Sequence, residues 1–179
     1  MAKTIKIVVD TRRVRRKLND IFEKGEQAVR PAAQAGAQVF YDEVVMRAPV
    51  SEAPHFFYGR AGKDGSRTIY PFDPGDLKRS VYQVFSKDNS NKSTATYHIA
   101  WNHQVVPYGF MVEFGHVQTR KAYLGSDGYW YTSPALLEGG PKVVGPTPFL
   151  RPSFDARLAD AREAARARWV EDMKKAIAQ

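Results

Sequence analysis

The chain of 179 residues contains no cysteine and no long apolar run. The absence of cysteine excludes disulfides and thiolate metal sites, and it favours a reducing cytoplasm or a particle assembled there. No apolar run approaches the roughly 20 residues that a membrane-spanning helix needs. The start of the chain lacks the apolar segment of a secretory signal. We therefore expect no membrane partner.

Enzyme signatures are also scarce. The histidines show no metal-binding spacing; they are His55, His98, His103 and His116. Gly65-Ser66-Arg67 lacks the Lys-Ser/Thr pair of a phosphate-binding loop. Glu113 and His116 could meet near a turn and perform acid–base chemistry, but no nucleophile, metal motif or oxyanion donor accompanies them. We therefore expect a protein that is not an enzyme and that has no catalytic site, metal site or cofactor.

The composition is that of an ordinary soluble domain, with 43% hydrophobic and 26% charged residues. A chain of this length can bury a sizeable core in one domain, and we assign residues 1–179 to it. The net charge is +8 and the pI is about 9.7. This surplus permits a polyanionic partner such as DNA, and equally an acidic protein neighbour.

The densest basic cluster lies near the start of the chain and comprises Arg12, Arg13, Arg15, Arg16 and Lys17. On a helix these side chains surround most of the circumference, so the cluster can be a solvated helix face. It can also contact DNA or an acidic partner. No aromatic residue lies between its members, which disfavours a stacking platform for single-stranded nucleic acid.

Apolar residues at helical spacing predict a helix towards each end of the chain. The first follows a short predicted strand, Thr4–Asp10, and begins near Arg12. Pro31 either starts a second helix or kinks one long helix. Ala48-Pro49 ends the pattern, because a residue before proline avoids the helical region. Small residues after the proline allow another element to pack closely; they are Ala32, Ala35, Gly36 and Ala37.

The second helical pattern runs from Phe154 to the end of the chain. Within it, Trp169 is expected to anchor the core rather than to bind a ligand, because a buried aromatic side chain contributes a large area. Two pairs of opposite charge lie four residues apart and are expected to support the helix: Arg168 with Asp172, and Glu171 with Lys175.

Three consecutive segments favour strands of an antiparallel meander: residues 80–86, 95–101 and 108–114. In the second, His98 is expected on a half-exposed face. The third alternates large apolar residues at period two and ends at Gly115, which permits a turn. Its carboxylate, Glu113, is expected to pair with Arg151 or with an arginine of a neighbouring subunit.

Residues 50–75 and 116–147 have the composition of long loops, rich in glycine and aromatic residues. A short strand at His55–Tyr58 and a hairpin arm at Tyr129–Thr132 can lie within them. We expect the second loop to order against a neighbouring subunit. The predicted fold is α+β: an antiparallel sheet of about four strands packed against the long N-terminal helix and the C-terminal helix, with long loops.

Three stretches, in this order, resemble the HK97 gp10-like family of tailed-phage head–tail proteins. The first is Arg47-Ala48-Pro49-Val50, followed after a loop by Gly75–Val81. The second is Tyr108–Gly115, and the third is Pro148–Phe154. With the leading strand and the two flanking helices, the resemblance covers nearly the whole chain.

The resemblance implies a structural virion protein of a tailed bacteriophage or prophage. Such a neck or tail-completion subunit would form a ring, expected to be hexameric, that joins the head connector to the tail tube around the DNA path. Its partners would be copies of itself, the head-side connector or adaptor, and the tail terminator or tail tube. Non-specific contact with DNA in the lumen is also implied. The protein would lie in the virion neck or tail, and in the host cytoplasm during assembly.

The resemblance also implies roles for particular residues. Glu113, Phe114, Phe149 and Arg151 would belong to a fold motif or a subunit interface. The basic cluster would face DNA or a partner protein. Two other classes of function stay open: a basic DNA-binding module associated with packaging, and an enzyme that uses Glu113 and His116.

The chain departs from the family pattern at Pro74-Gly75-Asp76, which replaces the usual Thr-Gly. The capping hydroxyl of the following helical turn is thereby lost. We expect Asp73 or Asp76 to supply the capping oxygen instead.

Overall fold

The computed structural model describes residues 10–61 and 63–178, which form four helices and eight strands. The helices are α1 Arg12–Arg47, α2 Asp76–Arg79, α3 Gly109–Phe114 and α4 Leu150–Ala178. The strands are β1 His55–Ala61, β2 Arg67–Phe72, β3 Val81–Asn91, β4 Thr94–Trp101, β5 His116–Gln118, β6 Arg120–Leu124, β7 Trp130–Leu136 and β8 Lys142–Val144. The predicted strand Thr4–Asp10 lies outside the described residues except for Asp10 itself.

Helix α1 is one continuous helix of 36 residues that contains Pro31. The single-helix alternative is therefore confirmed, and its length is roughly 54 Å at the usual helical rise. The helix ends at Arg47 as predicted, because Ala48 precedes a proline and adopts an extended ψ of 119°. At its start, the carboxylate of Asp10 accepts a hydrogen bond from the backbone N–H of Arg12 at 3.0 Å.

Helix α4 packs along α1, and the two helices run antiparallel. The start of α4 lies on the C-terminal half of α1 and its end on the N-terminal half, through the pairs Phe154–Phe40, Ala161–Gly36 and Met173–Gly25. A Cβ atom added at Gly36 would lie only 2.8 Å from the carbonyl oxygen of Ala161. The small residues of α1 thus allow a close helix approach, as the sequence predicts.

The hairpin formed by β3 and β4 packs on α1. The guanidinium carbon of Arg30 lies 4.2 Å from the centre of the Phe85 ring. At the tip of the hairpin, Lys92 lies 3.7 Å from the carboxylate of Glu26. These two strands were predicted, and His98 lies exposed on β4. Together with α1 and α4 they confirm the predicted α+β class.

The third predicted strand is wrong, because residues 109–114 form helix α3. Tyr108 and Val112, four residues apart, both pack against the core on one side of this helix. Phe110, Met111 and Phe114 are exposed. A short apolar run fits either element by periodicity alone, and here the helical spacing of the packed residues decides.

The hydrophobic core lies where the C-terminal end of α1 meets α2, β3, the segment before α3 and the start of α4. Its buried members come from each of these elements: Val44, Ala48, Leu77, Val81, Val106 and Phe149. Each of the stretches that carry the family resemblance contributes a residue to this core or to its immediate shell.

The two predicted long loops contain six strands, which corrects the loop assignment. Four of these strands form a sheet of order β2-β1-β7-β6, and β5 pairs with β8. Within the four-stranded sheet, β1 and β7 run parallel and pair at His55 and Trp130, while the other pairs are antiparallel. The strand suggested by the sequence at 55–58 lies within β1. The hairpin arm suggested at 129–132 overlaps the start of β7. These strands are short and pair across long sequence separations, so local patterns identify them poorly.

An aromatic row crosses the four-stranded sheet. Neighbouring ring centres along Tyr129, Phe56, Tyr131 and Tyr123 are 4.9 to 5.7 Å apart. Cross-strand aromatic pairs of this kind stabilise a sheet. Adjacent rings of the row contact one another, and Tyr123 at its end is exposed.

Two smaller predictions need correction. Trp169 is 42% exposed and does not anchor the core, because α4 meets α1 through a narrow strip in which only Ser153 and Ala161 are buried. No side chain caps α2; the carboxylate of Asp76 instead accepts the backbone N–H of Asp73 at 2.7 Å. The two predicted ion pairs of α4 are confirmed.

Across residues 10–61 and 63–178, no helix is long and apolar enough to span a membrane.

Candidate functional site

The residues singled out by sequence converge where α3 meets the start of α4. Glu113, at the end of α3, is only 1% exposed. One carboxylate oxygen accepts the backbone N–H of Phe149 at 2.7 Å and that of Leu150 at 3.0 Å. The other accepts Nε of Arg151 at 3.1 Å. The carboxylate thus caps a helix that begins 37 residues later in the chain, and its charge complements the positive end of the helix dipole.

The electrostatics of this cap favour the ionised carboxylate. Burial alone would raise the pKa of Glu113, since it disfavours the charged form. The N–H groups of Leu150 and Phe149 and the Arg151 guanidinium outweigh burial, and the pKa lies below its usual value. Both carboxylate oxygens are engaged in this way, and no hydrogen bond joins Glu113 to His116 among the described residues.

Two glycines of the same stretch make this arrangement possible. Gly115 adopts φ 78° and ψ 173°, a conformation that is essentially restricted to glycine. A Cβ atom there would lie 2.7 Å from the carbonyl oxygen of Val144. A Cβ atom at Gly109 would lie 2.4 Å from the indole nitrogen of Trp101. That indole donates a hydrogen bond to the carbonyl oxygen of Val106 at 3.1 Å.

The start of α4 is fixed from its own side as well. Phe149 is fully buried, and the hydroxyl of Ser153, also fully buried, donates to the carbonyl oxygen of Phe149 at 2.5 Å. Pro152 occupies the first turn, where the missing N–H costs no helical hydrogen bond. The guanidinium of Arg151 also lies 4.9 Å from the centre of the Phe114 ring. The four predicted motif residues are therefore brought together at one point.

A half-open cleft of about 600 Å³ lies beside α3. Its walls come from the segment after α1, from α3 and from the strands β5, β6 and β8. Burial lowers the pKa of His55 in this cleft. The Nδ1 atom of His116 is buried and has no hydrogen-bond partner among the residues that the structure describes. No group of three histidine or carboxylate side chains suitable for a metal ion occurs in the described part of the chain.

The basic cluster lies apart from this site, on the first turns of α1. All five of its side chains are exposed. Arg12 pairs with Asp10 at 2.7 Å. The other four cations form no ion pair with any residue that the structure describes. The cluster is thus available to a partner, and it is equally compatible with a solvated face.

One buried charge cluster was not predicted from the sequence. Glu43 on α1 is only 8% exposed, and its carboxylate lies 2.5 Å from Nε of Arg47 and 3.6 Å from Nε of Arg157 on α4. The signal was a carboxylate among the apolar positions of the α1 pattern, which indicates a buried charge in need of a partner. This cluster ties the two helices together next to the core.

No family model, no curated protein and no solved structure matches this chain.

Proposed function

We propose that this protein is a structural virion subunit of a tailed bacteriophage or prophage. In this proposal it is a neck or tail-completion component that assembles into a ring, hexameric by the family resemblance, between the head connector and the tail tube. The observation that carries the proposal is the convergence of the resembling stretches. They supply four of the six residues of the core cluster and the Glu113 cap, which supports an architectural role for these residues.

Features of the surface support an assembly role. Strands β2 and β6 are the outer strands of the four-stranded sheet, and unpaired strand edges are sites where a neighbouring chain can add. Large apolar side chains on these elements are exposed, including Ile69, Tyr70, Tyr123 and Leu124. Copies arranged head to tail can cover such surfaces in a ring.

The excess positive charge suits a position around the DNA path. The net charge is +8, and the cations of the basic cluster are exposed. A lumen that surrounds DNA gains from positive charge because phosphates attract it without sequence preference. The cluster would then face either the lumen or an acidic partner in the neck.

Charge reversal tests this proposal in a phage or prophage that carries the gene. The variant with Arg13, Arg15 and Lys17 each changed to Glu should accumulate unjoined heads and tails or lose packaged DNA. The matched control changes three exposed lysines outside the cluster to Glu: Lys63, Lys87 and Lys142. Both variants change the net charge equally. Normal virion yield from the cluster variant would count against the proposal.

A second candidate function is a basic DNA-binding module associated with packaging. Four exposed cations of the cluster form no ion pair with the described residues, and they favour this function: Arg13, Arg15, Arg16 and Lys17. Binding of the isolated protein to duplex DNA, with an affinity that falls steeply as salt rises, would support this alternative. Failure to bind duplex DNA even at low salt would exclude it.

A further inference from the structure

The first turns of α1 carry an exposed apolar stripe that begins within the basic cluster and extends beyond it. Val14, Leu18 and Phe22 are spaced four residues apart and therefore lie along one side of the helix. They are 60%, 51% and 73% exposed. Three large apolar side chains along one side of a helix form a contiguous apolar surface in water, and surfaces of this kind mark sites where a partner binds.

The stripe lies on the side of α1 that also carries Gly25 and Gly36, next to the residues that the end of α4 contacts. From Val14 onward, intervals of four and three residues lead through Phe22 to Gly25 and on to Val29, Ala32, Gly36 and Phe40. Met173 of α4 lies over Gly25, 3.9 Å from an added Cβ. The carbonyl oxygen of Ala176 accepts a hydrogen bond from Lys24 at 3.0 Å. Ile177 of α4 borders the same recess as Arg13 and Lys17, whereas Val14, Leu18 and Phe22 are exposed in the part of the chain that the structure describes.

The spacing indicates what kind of element fits the open face. Large apolar side chains at intervals of four residues form a ridge of the kind that packs into the groove of another helix. A second helix can supply the groove that receives such a ridge and can bury its apolar side chains. Duplex DNA would use the cations but would leave the apolar stripe in water.

The charge around the stripe restricts the partner further. Residues 12–24 carry six basic and two acidic side chains. Two copies meeting through this face would bring their basic clusters together, and such like charges repel. A partner helix with acidic residues on both sides of an apolar ridge would instead match the face in shape and charge.

We propose that Val14, Leu18 and Phe22 form a docking site for an acidic amphipathic helix of another protein, with Arg13, Arg15 and Lys17 contacting its carboxylates. The inference names a partner chemistry for the basic cluster, and it rests on the proposed assembly role. All residues of the proposed docking site belong to one chain, so binding to it can be tested with the isolated protein and without a virus particle. Its failure and the failure of the neck assignment are therefore distinguishable.

The test is a titration of the full chain with a synthetic helical peptide whose leucines repeat at three- and four-residue intervals and whose flanking positions are glutamate. The same peptide with lysine in place of glutamate is the matched control. We expect the acidic peptide to bind and the basic peptide not to bind. Changing Val14, Leu18 and Phe22 to serine should weaken binding by about tenfold or more, as loss of central apolar anchors does.

A second variant separates this site from general stickiness. Serine substitutions at the equally exposed Leu136 and Val143 should leave binding unchanged. Arg13→Glu with Lys17→Glu should weaken binding and reduce its dependence on salt. Equal binding by the stripe variant and the wild-type chain would overturn the proposal.

Other occupants of the face give their own signatures, each of which would overturn the proposal. A dimer that Leu18→Ser dissociates in sedimentation equilibrium would identify a second copy of the chain. Peptide binding that occurs only after deletion of residues 1–9 would identify that segment. Binding to anionic phospholipid vesicles, lost in the serine variant, with no binding to the peptide, would identify a lipid surface.

Discussion

Glu113 holds Arg151 through both its side chain and its backbone. Nε of the arginine donates to the carboxylate at 3.1 Å, and Nη2 donates to the Glu113 carbonyl oxygen at 3.1 Å. The same carboxylate receives the backbone N–H groups at the start of α4. One side chain therefore fixes where the last helix begins and how it is oriented relative to the core.

Replacing Glu113 with glutamine should destabilise the fold. The amide keeps the shape but loses the charge, and its NH₂ group cannot accept the N–H groups that the carboxylate accepts. We expect a loss of about 2–4 kcal/mol in unfolding free energy, the range for a buried charged group that loses its hydrogen bonds. Urea denaturation monitored by circular dichroism measures it.

Glu163→Gln is the control for this variant. Glu163 is an exposed carboxylate on α4 that lies 3.5 Å from Arg166. Exposed pairs of this type contribute little, and the control should change stability by less than about 1 kcal/mol. Equal effects of the two substitutions would show that the Glu113 cap does not stabilise the start of α4.

The same cap predicts a pH dependence. The pKa of Glu113 lies below its ordinary value of 4.5 in the folded chain. Its stabilising contribution is therefore complete above that ordinary pKa and is lost as the pH falls through the lower, folded-state pKa. The wild-type chain should lose unfolding free energy below about pH 4.5 more steeply than Glu113→Gln does. Parallel pH curves for the two proteins would contradict the assignment.

Gly115→Ala should disrupt the junction between α3 and β5. The backbone conformation of Gly115 is strained for alanine, whereas glycine adopts it freely. The added Cβ would also lie only 2.7 Å from the carbonyl oxygen of Val144. Gly128→Ala is the matched control, because Gly128 has φ 82° and open space around an added Cβ. The Gly115 variant should be less stable than the control by about 1 kcal/mol or more, measured by thermal melting.

Two glycines of α1 should respond to alanine with opposite signs. At Gly36 the added Cβ would lie 2.8 Å from the backbone of α4, so we expect a loss of about 1–3 kcal/mol from overpacking. At Gly25 the nearest atom is the flexible Met173 sulfur at 3.9 Å. There, higher helix propensity should stabilise the chain by about 0.5–1 kcal/mol. Changes of the same sign in chemical denaturation would contradict the described approach of α4 to α1.

Local patterns predicted the parts of the fold that local physics decides. Helical spacing located α1 and α4, and Ala48-Pro49 located the end of α1. The small residues around Gly36 predicted the close approach of another element, which is α4. The ion pair between Glu113 and Arg151 was predicted as one of two alternatives, and it forms within the chain.

The rest depends on contacts between residues that are distant in sequence. Six-residue α3 has an apolar pattern that fits a strand equally well, and only its packing against Trp101 and the start of α4 selects a helix. The strands of the four-stranded sheet pair residues such as His55 and Trp130, which no local pattern relates. Trp169 follows the apolar spacing of α4, but it lies outside the narrow strip of this helix that is buried.

The most direct test of the proposed function is electron cryo-microscopy of the neck of particles made from the genome that encodes this chain. The account predicts density for several copies of the fold, arranged in a ring between the head connector and the tail tube. In that density, the Glu113 cap should lie inside each subunit and the first turns of α1 should face DNA or a neighbouring protein. Complete particles whose neck contains no copy of this chain would contradict the proposal.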